Sequence, residues 1–161
     1  MSDLPVLLTV LAALGSALVA GIFFAFSAFV MRALGGLPPA QGIAAMQAIN
    51  VTVLNPWFFG AFFGTAALCI ILAIVAMLDW DEAGSGWRLA GSGLYLLTTI
   101  VVTIVCNVPL NHRLARVAPD SAEGAEVWTR YLPVWTAWNH LRTAGSLAAA
   151  AAVILALISA P

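Results

Sequence analysis

The chain has 161 residues, of which 63% are apolar and only 8% are charged, whereas soluble domains average roughly 45–50% apolar and about 25% charged residues. This composition excludes a water-soluble globular domain. Six arginines, no lysine and seven acidic residues give a formal net charge of −1. Because such a chain has no basic surface for a polyanion, we expect no nucleic-acid partner.

Four apolar stretches account for the excess of apolar residues, and each has at least the ~20 residues that a helix needs to cross a hydrocarbon core. They cover residues 4–31, 56–78, 89–110 and 135–159. None alternates strictly between apolar and polar residues, so we predict helices and not barrel strands. The sequence predicts an all-α fold, an integral membrane four-helix bundle in which residues 1–161 form a single four-span transmembrane domain.

The segment between the first two stretches, residues 37–53, predicts one further helix. It begins with two prolines, which favour a helix start, and it places Ile43, Met46 and Val53 on one face with Gln41 opposite. We therefore expect a short amphipathic helix that lies at the membrane interface between spans 1 and 2.

The arginines predict the orientation in the membrane. An even number of spans places both termini and the acidic turn at residues 79–82 on one side, where Arg88 is the only arginine. The other side holds the longest polar connection, residues 112–131, and most of the arginines. These are Arg32, Arg113, Arg116 and Arg130, with Arg142 near that end of the fourth stretch. The positive-inside rule then predicts both termini outside the cytoplasm. We expect the protein to be an integral protein of a bacterial inner membrane.

Small residues recur every four positions in the first two stretches. They are Ala13, Ala17, Gly21 and Ala25 in the first stretch and Gly60 and Gly64 in the second. Such rows allow helix backbones to approach closely in lipid, either within the bundle or between subunits. We expect membrane lipid as a partner, and a homo-oligomer formed through these faces is one interpretation of the rows.

Polar side chains form a stripe along the third stretch, four residues apart. They are Tyr95, Thr99, Thr103, Asn107 and Asn111. The stripe must face protein or water, because lipid excludes such groups. Pro109 lies in the same stretch and cannot donate a backbone hydrogen bond, so we expect a kink beside the two asparagines.

The fourth stretch begins with the densest group of polar and aromatic residues. At about 100° per residue, one helix face carries Trp135, Trp138, Asn139, Arg142 and Ser146, and His140 points away from it. Asn50 lies on the apolar side of the interfacial helix. We predict one polar pocket built from Asn50, Asn107, Asn111, Asn139 and Arg142. The alternative is that Arg142 is an interfacial anchor that reaches lipid phosphate.

The two histidines, His112 and His140, are the only side chains that ordinarily titrate near neutrality. No cysteine or carboxylate accompanies them in an apolar stretch, so we predict no metal site. Each histidine is either a general base or an ordinary solvated side chain.

The segments Asn107-Val-Pro-Leu-Asn-His-Arg-Leu114 and Trp135-Thr-Ala-Trp-Asn-His-Leu-Arg142 resemble the anthrone oxygenase-like family of small four-span membrane proteins. The run from Gly21 to Ser27 is similar too. In characterised members of fungal polyketide pathways, the family inserts oxygen at the activated methylene of an anthrone without an evident metal or flavin. The resemblance therefore implies that this chain acts as an oxygenase without a cofactor. The residues that match the family pattern are Asn107, Asn111, Asn139 and Arg142.

An oxygenase of this kind needs a base and a group that stabilises an enolate oxygen. On this hypothesis the asparagines and Arg142 bind the oxygen, either His140 or His112 takes the proton, and a small hydrophobic or aromatic substrate stacks on Trp135 or Trp138. An alternative is a non-catalytic membrane protein that binds a lipid or a quinone-like ligand. A transporter is disfavoured, because no acidic residue lies deep within an apolar stretch.

Overall fold

The computed structural model describes residues 3–159, which are almost entirely helical. The helices are α1 (Asp3–Ala25), α2 (Met31–Gly35), α3 (Pro39–Thr52), α4 (Pro56–Leu78), α5 (Ser85–Leu94), α6 (Val108–Leu114) and α7 (Ala122–Ile158). One π-helical segment, Phe26–Val30, joins α1 to α2, and two more, Tyr95–Val101 and Thr103–Asn107, join α5 to α6. The predicted all-helical fold is confirmed.

Four continuous helical stretches are long and apolar enough to cross a membrane. Span 1 is Leu4–Gly35, span 2 is Pro56–Leu78, span 3 is Ser85–Leu114 and span 4 is Ala122–Ile158. Span 1 packs against spans 2 and 4, and span 3 does the same from the other side. The spans therefore form an up-and-down bundle in which spans 2 and 4 lie on opposite corners.

Short polar side chains and glycine determine where the helices begin. The Asn55 side chain accepts a hydrogen bond from the Phe58 amide at 3.0 Å and so caps α4. Ser121 caps α7 by accepting from the Gly124 amide at 2.9 Å. Before α5, Gly84 has a φ of 89°, and a Cβ there would lie 2.6 Å from the Ala156 carbonyl oxygen. Only glycine fits that turn.

The predicted interfacial helix is present as α3, but its apolar face packs on protein. Ile43 and Met46 are fully buried in a core that also contains Leu114 of α6 and Trp128 of α7. Gln47 donates hydrogen bonds to backbone carbonyls at the end of α6 and just beyond it. The helix thus closes one end of the bundle, because contact with α6 and α7 buries the same apolar face that lipid would otherwise cover.

The predicted polar connection at residues 112–131 is wrong in length. The chain is non-helical only between Leu114 and Ala122, and α7 continues through the exposed Pro133 as one 37-residue helix. The charged residues of its first turns mark a solvent-facing surface and not a loop. On the opposite face, Val127, Trp128 and Tyr131 are buried against α3.

Most of the small-residue rows lie on the outer surface. Ala13 is buried, but Gly21, Gly60 and Gly64 have no atom within 4 Å of where a Cβ would be. Packing within the bundle is therefore the wrong interpretation for these glycines, and a homo-oligomer through them stays a prediction. Close packing occurs elsewhere, at Gly91, where a methyl group would lie 2.7 Å from Val153 Cγ2.

Both described ends of the chain lie at the end of the bundle that holds the acidic turn. Pro5 shares a groove with residues 79–82, and Ser159 shares one with Trp87. Arg88 is buried at this end, where its Nη1 donates to Glu82 Oε2 at 2.9 Å. The predicted orientation, with both termini outside, stays a prediction.

We expect Gly91→Ala to lower the free energy of unfolding by ~1–3 kcal/mol, because the added methyl overpacks the contact between spans 3 and 4. Gly93→Ala is the matched control: no atom lies within 4 Å of its Cβ position, so alanine should be neutral or stabilising by up to ~1 kcal/mol. Thermal unfolding in detergent, followed by circular dichroism, measures both. Equal losses in the two variants would contradict the packing described here.

Candidate functional site

Arg142 lies inside the bundle on span 4 and is 5% exposed. Its Nη2 donates a 2.7 Å hydrogen bond to Asn139 Oδ1, one helical turn earlier. Its Nη1 donates to Thr103 Oγ1 of span 3 at 3.2 Å. Two neutral oxygens thus hold the guanidinium group in place, and the interpretation of Arg142 as an anchor that reaches lipid phosphate is wrong.

Aromatic rings cover the guanidinium group on two sides. Its Cζ lies 4.2 Å from the ring centroid of Phe23 and 5.0 Å from that of Trp135. Cation–π contacts of this kind are worth up to ~2 kcal/mol when the cation is desolvated. Within residues 3–159, no carboxylate forms an ion pair with Arg142. The cation is therefore buried with neutral partners only.

Asn139 holds Arg142 in a defined position. Its Nδ2 donates to the Phe23 carbonyl oxygen and to Ser27 Oγ, both at 2.7 Å. Because these bonds use the side-chain nitrogen, the side-chain oxygen Oδ1 of Asn139 is turned toward Arg142. Thr143, one turn further along span 4, completes the group with a 3.3 Å contact to Ser27.

The two asparagines of span 3 bond to Trp135 from different sides. Asn111 Oδ1 accepts from Trp135 Nε1 and from the Tyr131 hydroxyl, both at 2.8 Å. Asn107 Nδ2 donates to the Trp135 backbone carbonyl at 3.2 Å. Trp135, whose indole covers Arg142, is therefore held both at its ring nitrogen and at its backbone carbonyl.

A cavity of about 210 Å³ lies beside the guanidinium group. Its walls are mainly apolar, and seven of the lining side chains are aromatic: Phe23, Phe26, Phe58, Phe59, Phe62, Phe63 and Trp135. The polar groups on its walls are Asn50, Thr103, Asn111 and Arg142. Apolar walls with a few polar groups are typical of small-molecule sites, and the volume of this cavity suits a compact molecule.

Two hydrogen-bond donors of the cavity residues have no partner in the described part of the chain. They are Asn50 Nδ2 and Arg142 Nε, and both atoms are buried. An unpaired buried donor costs roughly 1–3 kcal/mol. Since Asn50 and Arg142 both line the cavity, an oxygen atom of a bound molecule can satisfy such donors.

The structure brings together some of the predicted site residues and not others. Asn50, Asn111, Trp135 and Arg142 line the cavity, whereas Asn107 and Asn139 lie behind its wall as supports. Two of the five polar residues that were predicted to form the pocket, Asn107 and Asn139, therefore do not line the cavity.

Trp138 lies apart from this group and is 39% exposed. The buried stripe of α7 follows Trp135, Asn139, Arg142 and Ser146, and Trp138 falls at its outer edge. The prediction that Trp138 shares one face with Asn139 is wrong, because adjacent residues are turned about 100° from each other around the helix.

Both histidines are exposed and neither lines the cavity. His140 lies in a groove with Ser27, Arg32 and Thr136 that has no residue in common with the cavity. His112 lies in a second groove, which shares Asn50 and Asn111 with the cavity. Within residues 3–159, no three His, Cys, Asp or Glu side chains are grouped to hold a metal ion.

Sequence reasoning missed the phenylalanines of the cavity. Phe58, Phe59, Phe62 and Phe63 form two adjacent pairs, four residues apart, at the start of α4, and their rings contact one another at centroid distances of 5.0–6.4 Å. The pairing is visible in the sequence. It carries no signal beyond that of an ordinary apolar span.

The fold and the site together define a four-span helical bundle with a buried arginine on the wall of an aromatic cavity. A family model described as anthrone oxygenase matches residues 57–152, more than half of the chain. The chain therefore belongs to the anthrone oxygenase family. The match includes the segments around Asn107 and Trp135 and leaves out α1 and α3. No curated protein and no solved structure shows significant similarity to the chain.

We expect Asn139→Leu to lower the free energy of unfolding by ~2–4 kcal/mol, since it leaves the Arg142 Nη2 donor and the Phe23 carbonyl without their partner. His140→Leu, at the adjacent exposed position, is the control and should change stability by less than ~0.5 kcal/mol. Chemical denaturation in detergent compares the two. An Asn139→Leu protein as stable as the control would refute the positioning role of this amide.

Proposed function

We propose that the protein oxygenates the activated methylene carbon of a fused-ring, anthrone-like compound through its enolate, without a redox cofactor. The observation that carries this proposal is Arg142, a buried cation without a carboxylate partner on the wall of an aromatic cavity. Membership of the anthrone oxygenase family supports the reaction class. The protein is accordingly proposed to be an oxidoreductase of the membrane.

The reaction needs only the substrate and dioxygen. Loss of a methylene proton gives an enolate, whose electrons reduce dioxygen and form a carbon–oxygen bond. Cleavage of the resulting peroxide with loss of the remaining methylene hydrogen yields the quinone carbonyl, and the second oxygen atom leaves as water. The protein's part is to bind the ring system, favour the anion and accept the proton.

Arg142 would stabilise the enolate oxygen. Its Nε has no hydrogen-bond partner among the described residues, and its guanidinium group carries the positive charge that a developing oxyanion needs. Among the mainly apolar walls of the cavity, this charge would be screened less than it would be in bulk solvent. Asn50 Nδ2 supplies a second donor on the cavity wall.

The proton would leave through the His112 groove. The cavity lining within the described residues contains no histidine and no carboxylate, so the base must lie outside it. Of the two histidines, only His112 shares wall residues with the cavity, through Asn50 and Asn111. We therefore assign proton transfer to His112 and not to His140.

Arg142→Gln should lower the rate of oxygen consumption with an anthrone by ~10²–10³-fold, the cost typical of removing one donor to an oxyanion. An oxygen electrode and the absorbance of the anthraquinone product follow the reaction. Arg130→Gln, at an exposed position of the same helix, is the control and should leave the rate unchanged. Equal rates for Arg142→Gln and the unaltered protein would rule out this role.

Replacement of the histidines tests the route of the proton. His112→Gln should slow turnover by ~10²-fold or more, within the range attributed to general-base catalysis, and His140→Gln should not. Both variants are assayed with the same anthrone in the same lipid. A loss confined to His140→Gln would reverse the assignment, and no loss in either variant would place the base elsewhere.

A second candidate is a non-catalytic protein that binds a lipid or quinone-like ligand in the same cavity. The observation that favours it is the lack of a titrating base among the described residues of the lining. It predicts that an anthraquinone binds and that both histidine variants bind it equally well. Binding without oxygen consumption would select this candidate over the oxygenase.

A further inference from the structure

The cavity reaches the outer surface of the bundle between spans 2 and 3. Besides Leu54, which precedes span 2 and is 63% exposed, three of its lining side chains are exposed: Phe59 is 39% exposed, Phe63 49% and Ile104 56%. All three lie on helices that are long and apolar enough to cross a membrane. The opening therefore faces the region that hydrocarbon would occupy.

The opening exists because spans 2 and 3 separate along their length. α4 packs against α5 and the π-helical segment Tyr95–Val101, but not extensively against Thr103–Asn107. A π-helical turn contains an extra residue and commonly marks a functional site in a helix. In the π-helical segment Thr103–Asn107, Thr103 faces Arg142 and Ile104 faces outward.

Polarity changes from the opening to the interior of the cavity. The opening is bordered by apolar side chains, whereas the buried donors Asn50 Nδ2 and Arg142 Nε belong to residues of the inner wall. A molecule that enters here must dissolve in lipid and must carry an oxygen acceptor that Arg142 can bind once water is excluded.

We propose that the cavity is filled sideways from the bilayer, through a portal formed by Phe59, Phe63 and Ile104. The substrate class is then a lipid-dissolved, flat, fused-ring carbonyl compound that enters with its oxygen directed toward Arg142. This inference rests on the proposed function for the identity of the substrate. In this proposal the His112 groove serves the proton and not the substrate.

The test measures how fast a ligand enters and leaves, independently of turnover. The full-length protein in lipid nanodiscs is mixed with a hydroxyanthraquinone, and stopped-flow detection of the dye's own fluorescence gives both rates. Ile104→Trp narrows the portal, so association and dissociation should both slow by about ten-fold, a barrier increase of ~1.4 kcal/mol, with Kd nearly unchanged. Ile74→Trp, also exposed on a spanning helix, should leave both rates unchanged.

Two further variants keep the test decisive. Phe63→Ala widens the portal and should speed both rates, which provides a result even if Ile104→Trp does not fold. Ala115→Trp narrows the groove that contains His112 and should leave both exchange rates of the dye unchanged.

Slower exchange in Ala115→Trp with normal exchange in Ile104→Trp would overturn the portal, as would no dye binding by the unaltered protein. Portal-dependent exchange without oxygen consumption from an anthrone would retain the portal and reject the oxygenase.

Discussion

The structure depends on one costly placement, a guanidinium group inside an apolar bundle without a carboxylate beside it. Transfer of an ion from water to such a site costs several kcal/mol even after the protein has relaxed. All the partners of Arg142 are neutral: the Asn139 and Thr103 oxygens and the rings of Phe23 and Trp135. They come from spans 1, 3 and 4, so the cation can be held only when these three helices are assembled.

The polar side chains of the interior follow from that placement. Asn139 reaches back to the Phe23 carbonyl, while Asn107 and Asn111 fix Trp135. Burial of a polar group in an apolar medium costs little free energy when the group has a hydrogen-bond partner, and much more when it has none. Several buried polar atoms in the described part of the chain lack a partner, Ser16 Oγ and Asn107 Oδ1 among them, but only those of Asn50 and Arg142 belong to residues that line the cavity.

Periodicity and composition could predict the spans and the polar stripe, because a bilayer imposes a length and excludes polar groups. They could not predict which surface covers an apolar face. Lipid and protein both favour apolar side chains such as Ile43 and Met46, so the sequence alone does not distinguish a helix that lies against lipid from α3, which packs on protein. The charged start of α7 resembles a loop in composition because one face of that helix is exposed.

The site was predicted to the extent that it depends on helical spacing. Asn139 and Arg142 lie three residues apart on one helix, and their contact follows from that spacing. The exposure of Trp138 depends on how far span 4 is rotated about its axis, and that of His112 on the rotation of span 3, and both rotations are set by packing between the spans. The phenylalanines of α4 required the distance between spans 2 and 3, which no pattern in a single span records.

The two buried arginines show what distinguishes a structural charge from one available to a ligand. Arg88 lies beside the acidic turn and is paired with Glu82, so its charge is balanced within the chain. Arg142 has no such carboxylate in the described part of the chain, and a cavity adjoins it instead. A bound anionic oxygen would supply the missing balance. No carboxylate offsets the desolvation cost of Arg142 when the bundle assembles. Binding of an anion would offset part of that cost, so the site favours an enolate over its neutral parent, as the proposed oxygenation requires.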